Sequence, residues 1–198
     1  MKKNKEKLVN SRRKFIKSTS ILLMACGLNV ENISASSRKK SGFKVLEEND
    51  RFDIGNTGNQ IIQKAYDLGF LYEEKHMGCA RCTVASLQDA IDFVPADIGL
   101  FRSASCLDGG ATQTKLANCG AFTGAGMFIG WICGTERFGD NKLSHKLIHE
   151  VHKYFQKEYG SVICKKIRDS AESNCPEVVG KAAQRTTEII LKQFTNYE

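Results

Sequence analysis

Residues 118–134 read NCGAFTGAGMFIGWICG. Cys119 stands ahead of an apolar run rich in glycine and alanine, and Cys133 closes it. The run Gly120–Cys133 carries no charge but spans only 14 positions. A helix needs roughly 20 residues to cross a bilayer, so this length suits a buried core helix. Its glycines fall at 120 and 124, and again at 126, 130 and 134. Four-residue spacing puts small residues on one helical stripe, where a neighbouring backbone can approach closely. Glycine inside a helix costs about 0.5–1 kcal/mol relative to alanine, so several of them require a reason such as close packing or a buried cofactor. The string GAGMFIG also has the form of a dinucleotide-binding loop, but that loop needs a preceding strand and an acidic residue about 20 positions on. A polar loop precedes it here. Cys119, at the first turn, would meet unpaired N–H groups and a partial positive charge that favour the thiolate. Packing as a small apolar residue explains it equally well.

Outward from this run the patterning is helical throughout. NQIIQKAYDLGFLYEEKH, from Asn59, places Ile61, Ile62, Ala65, Leu68 and Tyr72 on one face behind a residue suited to capping. CTVASLQDAIDFV repeats the pattern with Val84, Leu87, Ile91 and Val94, and Pro95 stops it. A short helix is expected behind Asp97, then a loop broken by Gly109-Gly110 in which Asp108 makes a turn. KLSHKLIHEVHKYFQKEYG carries Leu143, Leu147, Val151 and Phe155 and ends at Gly160. CPEVVGKAAQRTTEIILKQF has Pro176 at a first helical position. No alternating strand and no repeat is visible. The expectation is a compact all-α bundle of about six helices with the glycine-rich helix buried at its centre.

The chain of 198 residues has a formal charge of +7, but residues 1–37 hold eight Lys/Arg against two acids, which leaves 21 basic and 20 acidic residues elsewhere. A nucleic-acid partner needs a basic footprint on the folded body, and none is present. The leader reads SRRKFIKSTSILLMACGLNV, with Arg12-Arg13 ahead of a short apolar stretch from Ile21 to Leu28. It has the form of a signal peptide whose SRRKFIK heptad resembles the twin-arginine export signal. That signal implies that the export machinery carries an already folded protein to a periplasmic or other extracytoplasmic location. SAS at Ser34–Ser36 offers a cleavage site, and LMAC at Leu23–Cys26 offers lipid attachment at Cys26. The expected division is a signal peptide at 1–37, a polar linker at 38–58 and a cysteine-rich helical redox domain at 59–198.

The body cysteines are Cys79, Cys82, Cys106, Cys119, Cys133, Cys164 and Cys175. Cys79-Ala-Arg-Cys82 is a CxxC at a helix start, a spacing suited to metal ligation or to a redox pair. Only one such pair exists, so no zinc signature is complete, and an odd count argues against a framework of disulfides alone. Taken together, Cys82 in CTVASL, Cys119 in CGAFTG, Cys164 in YGSVIC and Cys175 in CPEVV resemble the four cysteines of the redox-active family named for its C_GCAxxG_C_C motif. HMGCARCT, SCLDGGA and the leader look closer still to split-Soret cytochrome c relatives, exported proteins with haem and a cysteine-lined iron–sulfur pocket. No CxxCH occurs, because Thr83 follows Cys82, so covalent c-type haem is unsupported. The resemblance implies an iron–sulfur cluster on four thiolates, here Cys82, Cys119, Cys164 and Cys175, with Cys79, Cys106 and Cys133 as substitutes or neighbours.

His145, His149 and His152 share one helix face that could hold a metal, or haem iron from a partner, but the face lies opposite Leu147 and Phe155 and reads as solvated. His76 is a weaker axial candidate. No hydrolase elbow, P-loop or paired-carboxylate motif occurs. The sequence thus leads to an electron carrier with an iron–sulfur cluster and an unidentified redox partner protein. A thiol–disulfide oxidoreductase using Cys79, Cys82 or Cys119 and a non-enzymatic zinc- or disulfide-stabilised module stay open, as does a homodimer.

Overall fold

The computed structural model describes residues 43–112, 114–135, 138–172 and 174–198. The leader, with Arg12, Arg13 and Cys26, lies outside the described residues, as does the linker up to residue 42. Seven α-helices follow one another: α1 Gly58–His76, α2 Cys79–Ala90, α3 Ile98–Ser103, α4 Gly120–Cys133, α5 Lys142–Tyr159, α6 Cys164–Ser170 and α7 Cys175–Phe194. Two short 3-10 turns, Ala104–Cys106 and Asp108–Ala111, lie between α3 and α4. Two isolated β-bridges, Phe52 with Thr195 and Asn118 with Ile163, are the only strand-like pairings among the described residues. The all-α expectation holds, with one helix more than expected.

α1 packs most extensively on α7, α2 lies on both α1 and α4, and α5 closes the bundle against α4. The core is built from Val84 and Leu87 of α2, Phe128, Ile129 and Ile132 of α4, Val151 and Phe155 of α5, and Ile190, Leu191 and Phe194 of α7, each at most 1 % exposed. No helix among the described residues is long and apolar enough to cross a membrane.

Two close approaches set the geometry. A β-carbon added at Gly69 of α1 would stand 3.1 Å from the Val179 carbonyl and 3.2 Å from the Gly180 Cα of α7. One added at Gly124 of α4 would stand 2.6 Å from the Ala80 carbonyl of α2. The α1 stripe buries Ala65, Gly69 and Glu73, while Ile61, Ile62 and Leu68 are only half-buried, so the seam runs along the small residues rather than the large ones. The α4 stripe is likewise divided. Gly120 and Gly124 face the α2 backbone, whereas Gly126 meets only the Ile148 side chain and Gly130 meets nothing within 4 Å.

Three boundaries differ from the patterning. α2 ends at Ala90 rather than running on to Pro95, because Ile91 takes an extended conformation, although Ile91 and Val94 stay in the core. α6 was not expected at all, since seven residues are too few to show a period. The stretch 44–57, expected as linker, is docked: Leu46 is 4 % exposed and its N–H bonds the Ile132 carbonyl, and Phe52 stacks on Phe93 at 4.5 Å.

The divided glycine stripe predicts opposite effects for two alanine substitutions. Gly124→Ala forces a methyl group into the α2 backbone and lowers unfolding free energy by about 1–3 kcal/mol. Gly130→Ala fills open space and raises it by about 0.5–1 kcal/mol. Denaturant unfolding of the two variants reads both, and equal effects would contradict this packing.

Candidate functional site: a cavity lined by cysteines

The first turn of α2 is held from outside its own helix. The Asp108 carboxylate accepts the Ala80 N–H at 2.8 Å and the Arg81 N–H at 3.3 Å, as a capping side chain does, and takes the Arg81 guanidinium at 2.8 Å through its second oxygen. Arg81 also donates to the Met77 carbonyl at 3.1 Å. From the α1 side, the carboxylate of Glu73 accepts the Gly78 N–H at 2.8 Å. Asp108 presents itself through the turn in which Gly109 and Gly110 take φ of +63° and +76°. That left-handed backbone is what glycine supplies freely, and it brings the Gly109 N–H to 3.4 Å from the Cys79 sulfur.

Cys119 caps α4 and Cys164 opens α6. Backbone bonds around the Asn118–Ile163 bridge tie them together: the Cys119 N–H reaches the Val162 carbonyl at 2.8 Å, and the Cys164 N–H reaches the Ala117 carbonyl at 3.0 Å. Cys175 is the first residue of α7, behind Asn174, whose side chain accepts the Glu177 N–H. Cys79, Cys119, Cys164 and Cys175 thus each stand at the start of a helix, and all four line one cavity of about 570 Å³. Its wall also includes Glu73, Asp108 and Arg168.

The thiols differ in acidity. The Cys119 thiol, in hydrogen-bonding reach of Cys79, holds the Cys79 thiol below its ordinary range, and the Gly109 N–H acts the same way against the opposing effect of burial. Cys119 moves the other way, well up, because its proton is held by Cys79 and because it is buried. Burial pushes Cys164 and Cys175 up, with the Arg168 guanidinium opposing in both. Burial also raises the Glu73 carboxyl, against the Gly78 N–H and the Cys82 thiol, which favour its charged form.

Cys119, Cys164 and Cys175 are therefore brought together as expected, but Cys82 is not with them. It lines a separate pocket of about 240 Å³ with Tyr72, His76, Arg81, Ala85, Asp89 and Phe101. Burial and the Glu73 carboxylate push its thiol up to about 12. Three residues of helical rise put Cys82 about 4.5 Å deeper along α2 than Cys79, behind the wall rather than on it. Cys79, read as a substitute, occupies the place given to Cys82. Cys106 is exposed and its thiol points at the Ser103 carbonyl. Cys133 lies at the far end of α4, about 20 Å from Cys119 along the axis, bonded to the Ile129 carbonyl. His145 and His149 are exposed and His152 rests against Phe122, none of them on the cavity wall. Glu73, Asp108 and Arg168 were missed as site residues. For Glu73 a signal existed, because it continues the Ala65–Gly69 stripe at four-residue spacing.

None of the seven described cysteines is in a disulfide. Among the described residues, no three His, Cys, Asp or Glu side chains are drawn close enough to hold a single metal ion. The wall is rich in soft donors.

The family model described as "Putative redox-active protein (C_GCAxxG_C_C)" matches residues 77–189, more than half of the chain. That span runs from just before Cys79 to Ile189, in the second half of α7, and contains all four cavity cysteines. No curated protein and no solved structure matches the chain.

The opposed thiol acidities predict an order of alkylation. As pH rises toward the ordinary cysteine range, about 8.5, iodoacetamide labels Cys79 before Cys82 in the folded protein, read by peptide mass spectrometry. Labelling of Cys82 first would contradict the environments described.

Proposed function

The chain belongs to the C_GCAxxG_C_C family, a redox-active one, and on that premise we propose that it is an exported electron carrier holding an iron–sulfur cluster in the cysteine-lined cavity. The observation that carries the proposal is the convergence of Cys79, Cys119, Cys164 and Cys175 on one wall. Iron–sulfur clusters take four cysteine thiolates as a rule, and this donor set is chemically of that kind.

When bound, such a cluster supplies one-electron transfer. The protein's own residues prepare the site for an anionic group. The N–H groups at the start of α4, which no capping side chain takes, and the Arg168 guanidinium offset negative charge. The Gly109 N–H donates toward the Cys79 sulfur, an interaction of the kind that tunes cluster potential. Asp108 and Glu73 fix the first turn of α2, and with it the direction of Cys79. Cys82 stands one turn behind, on the separate pocket. The twin-arginine-like leader fits this reading, because a cluster would be inserted in the cytoplasm and carried out in the folded protein to a periplasmic site and a redox partner protein.

The test is composition. Protein purified without oxygen is expected to be brown and to contain iron and acid-labile sulfide in equal amounts. Cys119→Ser is expected to lose most of both, while Cys106→Ser keeps them. Colourless protein free of iron, or protein containing zinc alone, overturns the proposal.

A further inference from the structure

The CxxC of this chain has the spacing of a redox pair, but its two cysteines serve different pockets. Cys79 faces the 570 Å³ cavity, and Cys82 lines the smaller pocket. The thiol that shares the cavity wall with Cys79 across the contact between α2 and α4 is that of Cys119, whose chain neighbour Gly120 lies against the Cys79 sulfur. Gly120 makes that contact open. A β-carbon there would collide with the Cys79 sulfur, so only glycine at this position leaves the sulfur its place beside Cys119.

We propose that Cys79 and Cys119, and not Cys79 and Cys82, form a dithiol couple that reduces a low-molecular-weight disulfide entering the cavity of the metal-free protein. The size of the substrate follows from access: Cys79 is 8 % exposed and Cys119 is 6 % exposed, so a small molecule reaches them through the cavity and the surface of a folded protein does not. On the cavity wall Arg168 forms no ion pair among the described residues, while of the carboxylates beside it Asp108 is paired with Arg81, Glu73 is taken by the Gly78 N–H, and Glu74 is exposed. A disulfide bearing carboxylates suits that guanidinium.

The step balances without a further reactant. The Cys79 sulfur attacks one sulfur of the substrate, the substrate S–S bond breaks, and the first leaving thiolate takes the proton lost from Cys79. The Cys119 sulfur then attacks Cys79 in the mixed disulfide, forming the Cys79–Cys119 bond. The second leaving thiolate takes the Cys119 proton. Two protein thiols are oxidised and one disulfide becomes two thiols. The couple shares the cavity with the proposed cluster but does not rest on it. The two states exclude one another, since both use Cys79 and Cys119.

The test uses the full chain stripped of metal by chelation, with oxidised glutathione and the uncharged hydroxyethyl disulfide as probes. Peptide mass spectrometry is expected to show a Cys79–Cys119 link with loss of two hydrogen atoms. Cys119→Ser is expected to stop at a mixed disulfide on Cys79, and Cys82→Ser to close the link as the native chain does. Arg168→Gln is expected to lose any preference for oxidised glutathione over the uncharged probe. Circular dichroism establishes that each variant is folded, and Cys79→Ser, which should form no link and no cavity adduct, serves should Cys119→Ser fail to fold. A Cys79–Cys82 link, modification confined to Cys106, or no reaction overturns the proposal. Iron and sulfide content of the untreated protein is a separate reading, so failure of the couple and failure of the cluster are distinguishable.

Discussion

Gly120 and Gly124 let the first two turns of α4 lie directly on the backbone of α2 at Ala80, where β-carbons would stand at 2.9 Å from the amide nitrogen and 2.6 Å from the carbonyl. The rest of the site depends on this approach. It brings the first turn of α2 against the cap of α4, and therefore Cys79 and Cys119 onto one cavity wall. The bridge between Asn118 and Ile163 then carries Cys164 to the same place, and the α1–α7 seam at Gly69 and Gly180 brings Glu73 and the start of α7 to the other wall. Small residues are thus spent at two seams so that four helix starts can meet. Their cost in helix propensity, about 0.5–1 kcal/mol each, is offset by the burial they permit.

The apolar period made the bundle legible. Leu147, Val151 and Phe155 lie buried on one face of α5, and Pro176 and Gly160 stand where a helix begins and another ends. What periodicity could not reveal is what has no period. α6 is too short, and residues 44–57 dock through Leu46 and Phe52 along an extended backbone that resembles linker in composition. The glycine spacing correctly announced a close approach but not its extent, because Gly126 and Gly130 share the pattern of Gly120 and Gly124 without a partner backbone.

The site was legible as a set of cysteines and less so as a set of positions. Cys119, Cys164 and Cys175 converge, while Cys79 takes the place that motif matching gave to Cys82. Motif order carries no information about which cysteine of a CxxC sits at the mouth of a helix and which sits one turn inside. Asp108 illustrates the same limit. Its LDGG context says turn, and only the fold shows that the turn caps another helix 28 residues earlier in the chain. Of the histidine face, His145 and His149 are exposed and His152 rests half-buried against Phe122, all three apart from the cavity wall.

We propose that the four thiols of the cavity bind one iron–sulfur cluster. X-ray absorption at the iron edge of anaerobically purified protein tests it most directly, since the spectrum reports the atoms around each iron. A first shell of sulfur alone and a second shell of iron are expected. A first shell of nitrogen or oxygen, or isolated iron with no iron neighbour, would contradict it.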